Sequence, residues 1–169
     1  AELYTDLNTA LQSPEKVLRL RLRKKKMKEI PPGIFLMRNL QELDLGRNRI
    51  RQVPESIAAL TPLRVLDLSG NRLAMLPAAV GSLKELRTLR LGRNELAGLP
   101  AEIGLLENLE TLDVWDNNLS ELPEEAANLK NIREIDMRSI LMTEDQQSRI
   151  RSMFPGTTIH FSPSCNCKN

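Results

Sequence analysis

The stretch "LDLSGNRLAMLP" at residues 66–77 occurs in four closely similar versions along this chain. The other three are "LDLGRNRIRQVP" at 43–54, "LRLGRNELAGLP" at 89–100 and "LDVWDNNLSELP" at 112–123. Each version begins 23 residues after the preceding one. A fixed period of this size predicts a stack of similar structural units, in which each unit contacts its neighbours along the chain.

Two spacings of apolar residues alternate within each unit. Leu43 and Leu45 alternate as on a short strand with one buried face. The segment that follows contains Pro54, and proline is excluded from central strands and from helix interiors. Each unit should therefore consist of a short strand, a sharp turn and an irregular return segment. One unit cannot bury its leucine face alone, so the units must stack in parallel.

An asparagine occupies the turn of every complete unit, at positions 48, 71, 94 and 117. The amide side chain carries both an acceptor and donors, so it can satisfy backbone groups that the stack buries. Because an unsatisfied buried amide costs about 1–3 kcal/mol, we expect these asparagines to be structural rather than functional.

The units resemble leucine-rich repeats, whose pattern is L-x-x-L-x-L-x-x-N-x-L. The return segment L-P-x-x-I-x-x-L is similar to a 23-residue class common in bacterial proteins and in intracellular scaffold proteins. This resemblance covers about residues 17–161. It implies an α/β solenoid, a horseshoe arc with short parallel strands on the concave face and a mostly irregular convex side. It also implies that the usual role is protein binding.

The pattern predicts a single domain, 1–169, with capped ends. Residues 1–16 should form a helical N-terminal cap that begins at Thr5, and 17–139 should form the repeats. Residues 140–161 should close the stack with a capping helix and a last strand, because Thr143 and Gln146 can form a capping box. Residues 162–169 should form a flexible tail.

The residues between the leucines vary from repeat to repeat, and their side chains should point away from the core because side chains alternate along a strand. Trp115 differs from the residue types usual at its position in the family's repeats. The register predicts that it lies on the open face of the sheet. Exposed tryptophans in concave surfaces are typical binding anchors. We therefore expect a partner protein to bind a mixed-charge patch that comprises Trp115, Arg90, Arg93, Asp113, Asp116, Arg138 and Arg47. The alternative is that Trp115 only packs over Gly92 and the aliphatic stem of Arg90 or Arg138.

The first repeat departs from the pattern through the basic stretch "RLRLRKKKMK" at 19–28. Residues 1–62 carry 12 basic and 7 acidic residues, whereas 63–169 carry 12 and 15. This end of the chain predicts a candidate anionic-ligand surface, either for an acidic protein or for an anionic glycan or lipid; the alternative is a first strand that is merely solvated. Its candidate residues are Arg19, Arg21, Arg23, Lys24 and Lys26. The stretch lacks interleaved aromatics for base stacking, which argues against nucleic acid.

No catalytic constellation is apparent. The single histidine, His160, lies near the end of the chain, and no serine of the repeats has a histidine beside it in this register. We therefore expect no catalytic residues, no enzyme activity and no cofactor. We also expect no metal site, because His160, Cys165 and Cys167 supply three candidate ligands where structural zinc takes four.

Three roles remain open: a protein-binding scaffold, which we favour, a secreted or surface module that binds glycan or lipid, and a regulatory subunit of an enzyme. No apolar run approaches the roughly 18 residues of a membrane span. The alanine at position 1 is compatible with a mature exported chain or a trimmed one, so we favour an extracytoplasmic location, secreted or periplasmic, with the cytoplasm as the alternative. We expect a monomer.

Overall fold

The part of the chain that the structure describes forms one sheet of eight parallel strands, whose spatial order is the order of the chain. The computed structural model describes residues 1–166. The strands are β1 Leu3–Tyr4, β2 Arg19–Arg21, β3 Glu42–Asp44, β4 Val65–Asp67, β5 Thr88–Arg90, β6 Thr111–Asp113, β7 Glu134–Met137 and β8 Thr158–Phe161. The predicted solenoid arc with short parallel strands is therefore confirmed.

The strands pair in the register that the repeat predicts. The central residue of each strand pairs with the central residue of the next, so that Leu43 lies beside Leu66 and Leu66 beside Leu89. These three leucines are fully buried, and they continue into a column that runs through the whole stack. Each such side chain contributes roughly 1.5–3 kcal/mol when it is withdrawn from water.

Short 3₁₀ segments form the convex side of the arc, where the sequence predicted an irregular return. They are Pro14–Lys16, Pro32–Leu36, Glu55–Ala59, Ala78–Ser82, Ala101–Leu105 and Glu124–Asn128. In the repeats from the third strand onwards the segment follows the repeat's proline, as Pro77 precedes Ala78–Ser82. The middle of each five-residue segment turns one apolar side chain inward, as Val80 does.

The turn asparagines form the predicted ladder. The Oδ1 atom of Asn94 accepts a hydrogen bond from the Leu73 backbone N–H at 3.0 Å. Its Nδ2 atom donates to the carbonyls of Leu68 and Leu91, at 3.1 and 2.9 Å. Asn71 and Asn117 repeat this arrangement one unit earlier and one unit later. The asparagines therefore serve the backbone of the stack.

The N-terminal cap differs from the prediction in two respects. Helix α1 spans Leu7–Ala10, and its N-cap is Asp6 rather than Thr5, because the Asp6 carboxylate accepts the backbone N–H of Thr9 at 2.8 Å. In addition, the two-residue strand β1 extends the sheet beyond the first repeat. A strand of two residues carries no period that a sequence pattern could reveal.

The C-terminal cap contains the predicted helix and strand. Helix α2 spans Glu144–Met153, and Thr143 and Gln146 form the expected capping box. Strand β8 completes the sheet. After this strand the chain is still hydrogen-bonded to the preceding repeat. The Ser162 hydroxyl oxygen accepts the Ser139 backbone N–H at 2.7 Å, and the Cys165 backbone N–H donates to the Met142 carbonyl. The domain boundaries themselves stay predictions, and residues 167–169 of the predicted tail lie outside the described residues.

Candidate functional site

Polar side chains form continuous columns on the concave face of the sheet. The strand register places the third residue of each strand beside its equivalent in the next, so that Asp67 neighbours Arg90 and Arg90 neighbours Asp113. Leucines on either side of this column are buried. Because the strands lie about 4.8 Å apart, charges of both signs meet at close range along the face.

Trp115 lies half-buried on this face, in the turn that follows β6. Its indole covers Gly92 of the preceding repeat so closely that a Cβ atom at Gly92 would lie 2.5 Å from the indole Cδ1. The guanidinium carbon of Arg93 sits 5.2 Å from the ring centroid, within cation–π range. Glycine at position 92 is therefore required for this placement, and the arginine over the ring is Arg93 rather than Arg90 or Arg138.

A depression with a volume of about 680 Å³ lies beside the indole. Four of the residues predicted to bind a partner line it, namely Trp115, Arg93, Asp113 and Arg47. Gly70 lies between Arg47 and Arg93 in the stack and has no side chain to fill the space. The other lining residues are Arg23, Asn48 and Ser69.

The remaining three predicted residues lie outside this lining. Arg138 folds back on Asp136 of its own repeat, with Nη2 and Oδ2 2.6 Å apart. Asp116 is exposed and faces Arg93 at 3.7 Å. Arg90 is an exposed member of the column, and its Nη1 atom lies 3.9 Å from Oδ2 of Asp67. The structure thus brings four of the seven predicted residues together in one depression, and the other three lie outside its lining.

The carboxyl group of Asp113 has an altered acidity. Burial away from water, together with the carboxylates of Asp136 and Asp67, raises the pKa of Asp113 to about 6. A hydrogen bond from the Trp115 backbone N–H and the charge of Arg90 oppose this shift only in part. The lining of the depression therefore includes a carboxyl group with a pKa of about 6.

The arginines of the first strand are paired with acids. Arg19 Nε lies 2.7 Å from Glu42 Oε2, and Arg21 Nε lies 3.3 Å from Asp44 Oδ2. Arg23 extends across two repeats to Asp44 at 2.8 Å and to Asp67 at 3.3 Å.

These ion pairs reduce the charge that the first strand offers to a ligand. Gly46 makes the reach of Arg23 possible, because a Cβ atom there would lie 2.5 Å from the guanidinium. Lys24 and Lys26 are exposed, in the turn after the strand. The anionic-ligand surface stays a prediction: three of its candidate residues, Arg19, Arg21 and Arg23, are paired with acids, whereas Lys24 and Lys26 have no ion pair in the described part of the chain.

Backbone geometry gives the turns a feature that the sequence did not suggest. The residue before each asparagine adopts positive φ, with values of 56° at Arg47, 54° at Arg93 and 53° at Asp116. Only Gly70 in this column is a residue that tolerates such a conformation without strain. The left-handed conformation of this column therefore could not have been predicted from its residue types.

Metal-ligating side chains are not clustered in residues 1–166, where no group of three His, Cys, Asp or Glu could hold an ion. His160 instead faces Glu134, with Nε2 and Oε1 2.9 Å apart. Cys167, which completed the candidate ligand set, lies outside the described residues. None of the helices between residues 1 and 166 has the length and apolar character needed to cross a bilayer.

Comparison with known proteins agrees with this architecture. A sequence profile described as a leucine-rich repeat region matches residues 61–153, and a second leucine-rich repeat profile matches 15–73. The chain belongs to the leucine-rich repeat family. Proteins of this family are generally interaction modules and are typically non-enzymatic scaffolds.

A solved structure of a leucine-rich repeat protein from Leptospira interrogans is similar to this chain. The two share 27% sequence identity and superpose with a TM-score of 0.67. The similarity covers 97% of this chain and 55% of the Leptospira protein, so this chain spans little more than half of that protein's length. No curated protein sequence gives a significant match.

Proposed function

We propose that this chain is a non-catalytic module that binds a partner protein on its concave face, around Trp115. The observation that carries the proposal is the placement of the indole. It is half-buried on Gly92, stacked beneath Arg93 and open to a depression that Arg47 and Asp113 also line. A large aromatic side chain that is already held in place loses little conformational freedom on binding, which is a property of binding hot spots.

The charges around the depression favour a polar partner surface with an apolar anchor point. Arg47 has no ion pair within the part of the chain that the structure describes, and the Arg93 partner Asp116 is itself exposed. These two arginines can donate to carboxylates or carbonyls of a partner, while the part of the indole that borders the depression receives an apolar side chain.

A catalytic role has less support on this face. The Ser69 hydroxyl donates to Asp67, and Asp67 also accepts the Ser69 backbone N–H and pairs with Arg23. That serine therefore has no free base to activate it. His160 lies on β8 beside Glu134, at the far edge of the sheet.

The proposal is tested by capturing partners from the native source and measuring their affinity for three forms of the protein by calorimetry. Trp115→Ala should weaken binding by about thirtyfold or more, as expected for a hot-spot residue. The matched control is Leu105→Ala, which removes a half-exposed apolar side chain from the convex side. Equal affinity of the native and Trp115→Ala proteins, or an equal loss in both variants, would contradict the proposal.

A further inference from the structure

A second charged surface lies on the flank of the solenoid, just past the asparagine turns. Five exposed basic residues occupy it, and we call them the basic flank: Lys26, Lys28, Arg49, Arg51 and Arg72. Backbone hydrogen bonds fix their neighbourhood, since the Arg51 N–H donates to Lys28 and the Arg72 N–H to Ile50. Lys28, Arg51 and Arg72 face one shallow depression.

The charge of the basic flank is not neutralised by the protein. Within residues 1–166 no ion pair joins any of its five side chains to a carboxylate, in contrast to Arg19, Arg21 and Arg23 on the first strand. Two carboxylates, Glu29 and Glu95, line the same depression. Three cations and two carboxylates line the depression, and Lys26 and Arg49 beside it add two further positive charges, so this side carries an excess of positive charge.

The basic flank is two-dimensional. Lys26, Arg49 and Arg72 form one column through three successive repeats, and Lys28 and Arg51 form a second column two residues further along the chain. Repeats are spaced by about 4.8 Å. A flat anionic surface can contact both columns of charge at once, whereas a linear polyanion would contact one column at a time.

An exposed apolar side chain borders this grid. Met75 is 71% exposed and follows Ala74, which lines the depression together with Arg51 and Arg72. Flexible methionine next to lysine and arginine suits the boundary between headgroups and acyl chains. The flank holds no aromatic residue on which nucleic-acid bases could stack.

We propose that the basic flank docks the protein on the surface of a bilayer that contains anionic phospholipid. Clusters of four to eight lysines and arginines bind such surfaces, each contributing roughly 1 kcal/mol. In this arrangement the flank faces the headgroups, Met75 enters the boundary region, and the concave depression beside Trp115 stays open. Membrane docking and partner binding therefore use different surfaces of one arc.

The test is co-sedimentation with vesicles of phosphatidylcholine alone or with about 30% phosphatidylglycerol, at near-physiological salt. The flank variant is Arg49→Gln, Arg51→Gln and Arg72→Gln combined. Its matched control removes the same charge from exposed arginines elsewhere: Arg38→Gln, Arg64→Gln and Arg133→Gln. Thermal unfolding checks that both triple variants remain folded.

We expect the native protein to bind only the anionic vesicles. The flank variant should lose about a hundredfold in partition coefficient, the equivalent of three surface cations. The control should stay within about threefold, because exposed charges beyond about 10 Å are screened. Met75→Ser should weaken binding further, and Trp115→Ala should leave it unchanged, which separates this proposal from the proposed function.

Three results would overturn the membrane proposal. The first is native protein that fails to distinguish the two vesicle compositions. The second is an equal loss in the flank and control variants, which would indicate a response to net charge alone. The third is tight binding to heparin without binding to anionic vesicles, which would assign the flank to a linear polyanion.

Discussion

Replacement of Asn117 by alanine should destabilise the fold through specific backbone groups. Asn117 Oδ1 accepts the Leu96 N–H at 3.0 Å, and Nδ2 donates to the carbonyls of Leu91 and Val114, both at 3.0 Å. The Leu91 carbonyl retains a hydrogen bond from Asn94 in the variant. The Leu96 N–H and the Val114 carbonyl lose the partner that Asn117 provides. The variant therefore leaves two backbone groups of the stack without this side chain.

The magnitude follows from those two groups. A buried polar group that loses its partner costs about 1–3 kcal/mol, so the loss of two such partners in Asn117→Ala should lower the free energy of unfolding by about 2–6 kcal/mol. The neighbouring residue provides a matched control, because Asn118 is exposed and its side chain takes no part in the ladder. Asn118→Ala should change the free energy of unfolding by no more than about 0.5 kcal/mol.

Urea-induced unfolding followed by circular dichroism measures both variants against the native protein. The two substitutions remove the same atoms from adjacent residues, so composition and helix propensity cannot explain a difference between them. A loss below about 1 kcal/mol for Asn117→Ala, or similar losses for both variants, would refute the role assigned to the ladder.

Further predictions concern the concave carboxylates and the turn glycines. Because the pKa of Asp113 is raised in the folded state, its ionisation opposes folding as pH rises from about 4 to about 7, and Asp113→Asn should gain stability relative to the native protein over that range. Asp136→Asn should do the opposite: burial raises the pKa of Asp136, but hydrogen bonds from Arg138 outweigh it and lower the pKa, so ionised Asp136 stabilises the fold at neutral pH. Urea unfolding at several pH values distinguishes these signs, and a parallel response of the two variants would contradict them. Gly70→Ala should cost about 1–2 kcal/mol because φ is 68° there, whereas Gly98→Ala, with no heavy atom within 4 Å of its added Cβ, should be close to neutral in the same assay.

The repeated part of the architecture was predictable because every unit contains the same pattern of apolar residues. The spacing of Leu43, Leu66 and Leu89 defines both the strands and their register, and the structure confirms both. The asparagines followed from the need to satisfy buried backbone groups, which any parallel stack imposes. The C-terminal capping box was equally visible, since its residues are three apart.

The missed features depend on contacts between units. Arg23 reaches Asp67, 44 residues further along the chain, and no local pattern indicates that this arginine is paired. For the same reason the sequence predicted a basic concave strand, whereas Arg19, Arg21 and Arg23 of that strand are paired with acids and, within the described residues, the five cations of the basic flank are not.

The tryptophan site also illustrates what the pattern leaves open. The register placed Trp115 on the open sheet, and the structure agrees. The cation over its ring is Arg93, whose backbone has a positive φ of 54°. Neither this conformation nor the raised pKa of Asp113 is encoded by residue spacing, because both arise from how neighbouring turns pack.

Site-specific photo-crosslinking tests the proposed concave interface most directly. A benzoylphenylalanine at Thr88, in the outward-facing column of β5, samples the concave face. The same residue at Leu105 samples the convex side. We predict that the partner forms a crosslink from position 88 and not from position 105, and that adding Trp115→Ala abolishes it. A crosslink only from position 105, or one from position 88 that survives Trp115→Ala, would contradict partner binding around Trp115.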